Sequence, residues 1–124
     1  MTPTVLTIED QDDIRRLIRM TLEFKGFRVL EAENGTHGLA MARSEKPDLI
    51  LLDVMMPGID GLEVGRTLAA DSALSRIPTV MLSALGAGTD VDAGMATGVR
   101  AYLIKPFSPW ELLDLVTELT APAH

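Results

Sequence analysis

Short apolar runs alternate along the chain with stretches in which apolar residues recur at helical spacing. Val5 to Ile8 is the first run, and it stops abruptly at Glu9 and Asp10. Asp12 then reads as an N-cap, followed by Ile14, Leu17, Ile18, Thr21 and Phe24 on one helical face, and Gly26 as the stop. Phe27 to Ala32 predicts a second strand, and Gly35 to Ser44 a second helix in which Gly38 weakens the start. After Pro47, Leu49 to Leu52 is a continuous aliphatic run leading into Asp53, the pattern of a strand buried on both faces. A turn through Pro57 to Gly61 leads to a helix ending near Ala70, then come a strand at Thr79 to Leu82 and a Gly-rich stretch from Gly86 to Gly98. Strand Ala101 to Ile104 and a helix after Pro109 complete the chain.

Five strands alternating with five helices predict an α/β three-layer sandwich around a parallel sheet, for which the flavodoxin-like order 2-1-3-4-5 is one common solution. No charge block, repeat or Ser/Gly linker divides the chain, so a single domain over residues 1–124 is expected, with its core from about Val5 to Leu119. Ligands of such sheets bind at the carboxyl ends of the strands. The residues at those ends are Glu9 and Asp10, Asp53, Ser83 and Lys105.

Composition narrows the classes further. Hydrophobic residues make up 47% of the 124 and charged residues 23%, a globular balance, and with only 4% aromatics the core must be aliphatic. The absence of cysteine excludes a disulfide scaffold and a thiolate metal site and suits a reducing cytoplasm. A net charge of −7 repels both a phosphate backbone and an anionic membrane, so neither nucleic acid nor membrane is expected as a direct partner. No stretch has the roughly 18 apolar residues of a membrane span, and Met1 to Asp13 has no basic leader region. The two histidines, His37 and His124, make no metal site.

Three carboxylates gathered at one sheet edge repel one another by roughly 1 kcal/mol per pair at 4 Å in water, and by about 4 kcal/mol at an effective dielectric of 20. A hard divalent cation offsets this, and a few carboxylates with several retained waters suit Mg²⁺, with Mn²⁺ able to substitute. Lys105 adds a compact positive charge fitted to a phosphoryl oxygen. Metal, lysine and hydroxyl around one carboxylate are the components of phosphoryl transfer to that carboxylate. Asp53 is the expected nucleophile, because it alone follows a doubly buried strand.

Four segments carry a family resemblance: Glu9-Asp10, the stretch from Leu51 through Asp53 and Pro57 to Gly61, the pair Ser83-Ala84, and Tyr102 to Phe107 with Lys105-Pro106. In this order and at these spacings they resemble the response regulator receiver domain, the CheY-like phosphoacceptor of two-component signalling. The resemblance implies that Asp53 accepts phosphate from a sensor histidine kinase or a histidine phosphotransfer protein. It implies that Asp10 and Asp53 ligate Mg²⁺ directly, Glu9 through water, and Met55 through its backbone carbonyl. Ser83 and Lys105 would bind the phosphoryl oxygens. Ser83 and Tyr102 would form the switch to a downstream protein target, through a face built from Gly86 to Arg100, strand five and the last helix. The Lys105-Pro106 bond resembles one that is cis in the family.

Glu9 and Ser83 depart from the commoner aspartate and threonine. Gly98-Val99-Arg100-Ala101 replaces the Gly-Ala-Asp-Asp usual in winged-helix regulators, whose shared dimerisation surface it does not reproduce. The kinase-side partner is expected over the first helix and the turn after strand five, on Ile14, Leu17, Pro106 and Phe107. An aspartyl-phosphate phosphohydrolase is the alternative, but it needs a second acid two residues after the nucleophile, where Met55 stands. A switch that phosphorylates and dephosphorylates itself and transforms no external metabolite is therefore the favoured reading.

Overall fold

The computed structural model describes residues 2–54, 61–84 and 100–121. Five strands, β1 (Thr4–Ile8), β2 (Arg28–Ala32), β3 (Leu49–Asp53), β4 (Thr79–Ala84) and β5 (Ala101–Lys105), form one parallel sheet of order β2-β1-β3-β4-β5. Four helices are present among the described residues: α1 (Asp12–Phe24), α2 (Gly35–Glu45), α3 (Gly61–Ala70) and α4 (Pro109–Thr120). A fifth helix would have to fall between β4 and β5, where residues 85–99 lie outside the described ones.

The central position of β3 explains its sequence. Leu49, Ile50, Leu51 and Leu52 are all fully buried, and alternation sends them to opposite faces. Ile50 and Leu52 pack with Leu39 and Ala42 of α2 and Val64 and Leu68 of α3. On the other face, Leu49 and Leu51 pack with Ile18 and Leu22 of α1 and Leu112, Leu113 and Val116 of α4. The sheet is thus covered on both sides, as the unbroken aliphatic run requires.

Helix α1 differs in detail from the sequence expectation. Gln11, not Asp12, is the N-cap residue, and its side chain makes no cap; Asp12 lies in the first turn, where its carboxylate meets Arg15. The inward face is Ile18 and Leu22, while Leu17 points outward and Phe24 is 84% exposed. The helix end accounts for this. Gly26 at φ +88° reverses the chain, Phe27 N–H donates to the Leu22 carbonyl at 3.1 Å and Gly26 N–H to that of Glu23 at 3.0 Å. Phe27 then packs on the cluster of Leu22 in the place expected for Phe24.

Gly38 also has a packing role. A Cβ there would stand 2.5 Å from Ile8 Cδ1, so the glycine that weakens α2 lets it approach β1 closely. Helix α4 starts at a complete capping box, with Glu111 N–H donating to Ser108 Oγ and Ser108 N–H to Glu111 Oε1, each at 3.1 Å.

Candidate functional site

The carboxyl ends of β1, β3 and β5 bring Glu9, Asp53 and Lys105 together. Glu9 follows β1, its N–H donating at 3.0 Å to the Ala32 carbonyl at the end of β2, and it is fully buried. Asp53 closes β3 and is 2% exposed. Lys105 closes β5, and its Nζ lies 2.9 Å from Glu9 Oε1 and 3.3 Å from Asp53 Oδ2. The Lys105-Pro106 peptide bond is cis, matching the sequence expectation.

Asp10, just past Glu9, completes the acidic cluster. One carboxylate oxygen from each of Glu9, Asp10 and Asp53 lies within 4.8 Å of the others. Ligands of an octahedral Mg²⁺ at about 2.1 Å are about 3.0 Å apart at neighbouring corners and about 4.2 Å apart at opposite ones. A small contraction, or a water in front of Glu9, brings the cluster into that range. A second observation concerns Asp10 alone: its Oδ1 is buried and has no hydrogen-bond partner among the described residues. A buried carboxylate oxygen without a donor is costly, and a cation satisfies it. The three acids therefore fit a hard divalent ion, with Lys105 offsetting part of their charge.

Ser83 is buried, and its hydroxyl has no hydrogen-bond partner among the described residues. It follows Leu82, the register partner of Asp53 on β4, which places it beside the carboxylate's strand end. Tyr102 is half-buried, pairs with Met81 across β4 and β5, and packs on the cluster containing Met81. The Met55 carbonyl falls outside the described residues, as do residues 86–99 of the expected output face, which ran from Gly86 to Arg100 with strand five and the last helix.

Two residues that sequence reading leaves without a role support the site. Gly61 opens α3 and donates from its N–H to the Val54 carbonyl at 3.1 Å; a Cβ on it would collide with the Asp53 carbonyl oxygen and stand 2.6 Å from Val54 Cα. Arg15 donates to the Glu9 carbonyl at 2.7 Å. An arginine three residues after an aspartate reads as an ordinary helix-surface pair, so nothing in the sequence marks it. The four apolar residues expected at a partner surface do meet: Ile14, Leu17, Pro106 and Phe107 line a hollow of about 260 Å³ with Lys105. Leu17 is 44% exposed there.

Burial, then the hydrogen bond with Asp53, raises the Glu9 carboxyl pKa to about 8, against the opposing effect of Lys105. In metal-free protein the folded state holds this proton where the unfolded chain has released it, so stability falls as pH rises from about 4.5 to about 8. Thermal melts in chelator at pH 5 and pH 8 are expected to show a Glu9-dependent loss of upward of ~1 kcal/mol. Glu9→Gln should flatten that part of the slope; an unchanged slope in the variant contradicts the assignment.

The model of the response regulator receiver domain family matches residues 5–117. The phosphate regulon transcriptional regulatory protein PhoB of Pseudomonas aeruginosa is 43% identical over 122 residues, covering 96% of this chain and 53% of that protein. The chain spans about half the length of the first curated relatives it matches. Among solved structures, the chemotaxis response regulator CheY4 of Vibrio cholerae superposes with a TM-score of 0.90 at 30% identity, over 96% of this chain and 99% of that one. The receiver domain of the sensor histidine kinase PA1611 from Pseudomonas aeruginosa superposes at 0.89 with 27% identity, over 97% and 98%, and carries a magnesium ion in its active-site cleft. With the sheet order, the acid cluster and the lysine all in place, these matches show that the chain belongs to the response regulator receiver domain family, a family of signalling proteins.

Proposed function

We propose that Asp53 is the phosphoacceptor of this receiver, taking a phosphoryl group from the phosphohistidine of a sensor histidine kinase or a histidine phosphotransfer protein. The observation that carries this reading is the position of Lys105 Nζ, 3.3 Å from Asp53 Oδ2 and 2.9 Å from Glu9 Oε1, at a sheet edge where three carboxylates converge. A carboxylate oxygen of Asp53 attacks phosphorus, the new O–P bond forms, and the P–N bond to the donor imidazole breaks. Asp10 and Asp53 would hold Mg²⁺ directly and Glu9 through water, the family resemblance gives the Met55 carbonyl as the further protein ligand, and Mn²⁺ would substitute. The ion, when bound, neutralises charge on the phosphoryl oxygens. Lys105 binds one of those oxygens as a point charge, and the Ser83 hydroxyl, which has no hydrogen-bond partner among the described residues, donates to another.

Once Ser83 is drawn to the phosphoryl group, Tyr102 on the neighbouring strand responds, and β5 with α4 presents the change to a downstream protein target. The domain acts in the cytoplasm, transforms no external metabolite, and loses its phosphoryl group to water by its own chemistry. Ile14, Leu17, Pro106 and Phe107 receive the donor, because their hollow adjoins Lys105.

Incubation with a small phosphodonor and Mg²⁺, followed by mapping of the adduct, is expected to give one phosphorylated aspartate at Asp53, and chelation of the metal to prevent it. Asp10→Ala is expected to separate stability from function. It removes a buried oxygen without a donor and one of three mutually repelling charges, so the metal-free protein should gain about 1 kcal/mol. The same variant should lose phosphorylation. Normal phosphorylation in Asp10→Ala would place the metal elsewhere.

A further inference from the structure

We propose that Arg15 is a positioning residue for the metal site, a clasp that sets the backbone from which Glu9 and Asp10 project; this rests on the Mg²⁺ reading above. Its side chain is only 15% exposed and makes three sets of contacts. One guanidinium nitrogen donates to the Glu9 carbonyl at 2.7 Å, Nε donates to Glu31 Oε2 at 3.1 Å, and the other terminal nitrogen pairs with Asp12. Glu31 is itself held from the far side, with Arg19 donating to Oε1 at 2.7 Å. The fork of Arg15 therefore ties the end of β1 to β2 and to the first turn of α1.

The result is a residue fixed by every polar group it has. The Glu9 N–H is held by the Ala32 carbonyl, its carbonyl by Arg15, and its carboxylate by Lys105. Asp10 follows directly, and the peptide that Arg15 holds is the one joining the two acids. The orientation of that peptide sets where the Asp10 carboxylate lies, including the buried Oδ1, which has no hydrogen-bond partner among the described residues. A planar fork with several fixed donors does this; a single ammonium cannot hold a carbonyl and two carboxylates at once.

Charge and positioning give opposite signs for the effect of removing Arg15. As a cation bonded to the acidic loop, Arg15 disfavours a second cation there, so loss of its charge alone would tighten Mg²⁺ binding. Loss of the clasp leaves Asp10 free to turn away and weakens it.

The test is a Mg²⁺ titration followed by the amide resonances of the chain, with circular dichroism melts to confirm that each variant is folded at the titration temperature. Arg15→Ala is expected to raise the Mg²⁺ Kd about tenfold. Arg15→Lys, which keeps the charge but not the fork, should also weaken binding, by about threefold or more. In metal-free protein both should shift the Asp10 and Gln11 amides, which a distant stability effect would not. Binding as tight as the unsubstituted chain, or tighter, in Arg15→Ala overturns the inference; should that variant not fold, Arg15→Lys decides by the same criterion. If the unsubstituted chain binds no Mg²⁺, the metal reading itself falls and takes the clasp with it.

Discussion

Replacing Asp53 by asparagine should reduce Mg²⁺-dependent phosphorylation from a small phosphodonor by at least about 100-fold, because an amide oxygen is a far poorer nucleophile than a carboxylate and yields no stable adduct. The substitution nearly preserves shape at a site that is 2% exposed, and Lys105 keeps Glu9 at 2.9 Å, so the sheet edge should stay assembled. Mass spectrometry of the digested chain reads the outcome. Among the described residues near the site no other carboxylate offers the same setting: Glu9 is held by Lys105 from β5, Asp10 lies in a loop, and Asp12 pairs with Arg15 on an exposed turn. An undiminished yield in Asp53→Asn, or an adduct that stays on another residue at full rate, removes the central assignment.

Gly61→Ala should be more damaging than Gly38→Ala, whose added methyl would meet only the Ile8 side chain. The carbon added at Gly61 meets only backbone, the Asp53–Val54 peptide with its carbonyl oxygen and, at 2.6 Å, Val54 Cα, so no side-chain rotation relieves it. Either α3 backs away from β3, opening the packing of Val64 and Leu68, or the Asp53–Val54 peptide moves and carries the nucleophile with it. A destabilisation of about 2–3 kcal/mol is expected, which for a domain of this size lowers the melting temperature by roughly 8–15 °C. Phosphorylation should fall as well, since a displacement of about 1 Å at a reacting group is costly. Gly26→Ala makes the useful contrast. Its site is open space with φ +88°, so the cost is conformational, about 1 kcal/mol, and phosphorylation should be retained. Equal melting temperatures for Gly61→Ala and the unsubstituted chain would show that α3 yields freely there.

Much of the site was legible because the chemistry sits where hydrophobic patterning ends. Asp53 after Leu49 to Leu52, Glu9 after Val5 to Ile8, and Lys105 after strand five stand out against buried runs, and parallel strands bring their carboxyl ends to one edge. Both helical layers followed from the same alternation, which offered the order 2-1-3-4-5 as one common solution. Pairings set by three-dimensional approach were not legible. The periodicity of α1 favoured Phe24 as a core residue, and only the reversal at Gly26 shows that Phe27 fills that space. Gly38 and Gly61 read as a poor helix former and a turn residue, whereas each admits a strand at close range. Arg15 joins residues six positions back and sixteen positions ahead through a carbonyl and a carboxylate, and side-chain-to-backbone bonds of this kind leave no periodic trace.

The burial of β3 bears on how slowly its end can be disturbed. With neighbours hydrogen-bonded on both sides and Leu49 to Leu52 wholly covered, its amides reach water only when the whole domain opens. Deuterium should enter β3 last, while α1, with its exposed outer face, exchanges far sooner. The carboxylate of Asp53 is thereby fastened to the slowest-opening part of the molecule. In the proposed phosphoacceptor role Asp53 would offer a phosphoryl group a firm anchor, and the effect would be expressed in the strands and helices around it.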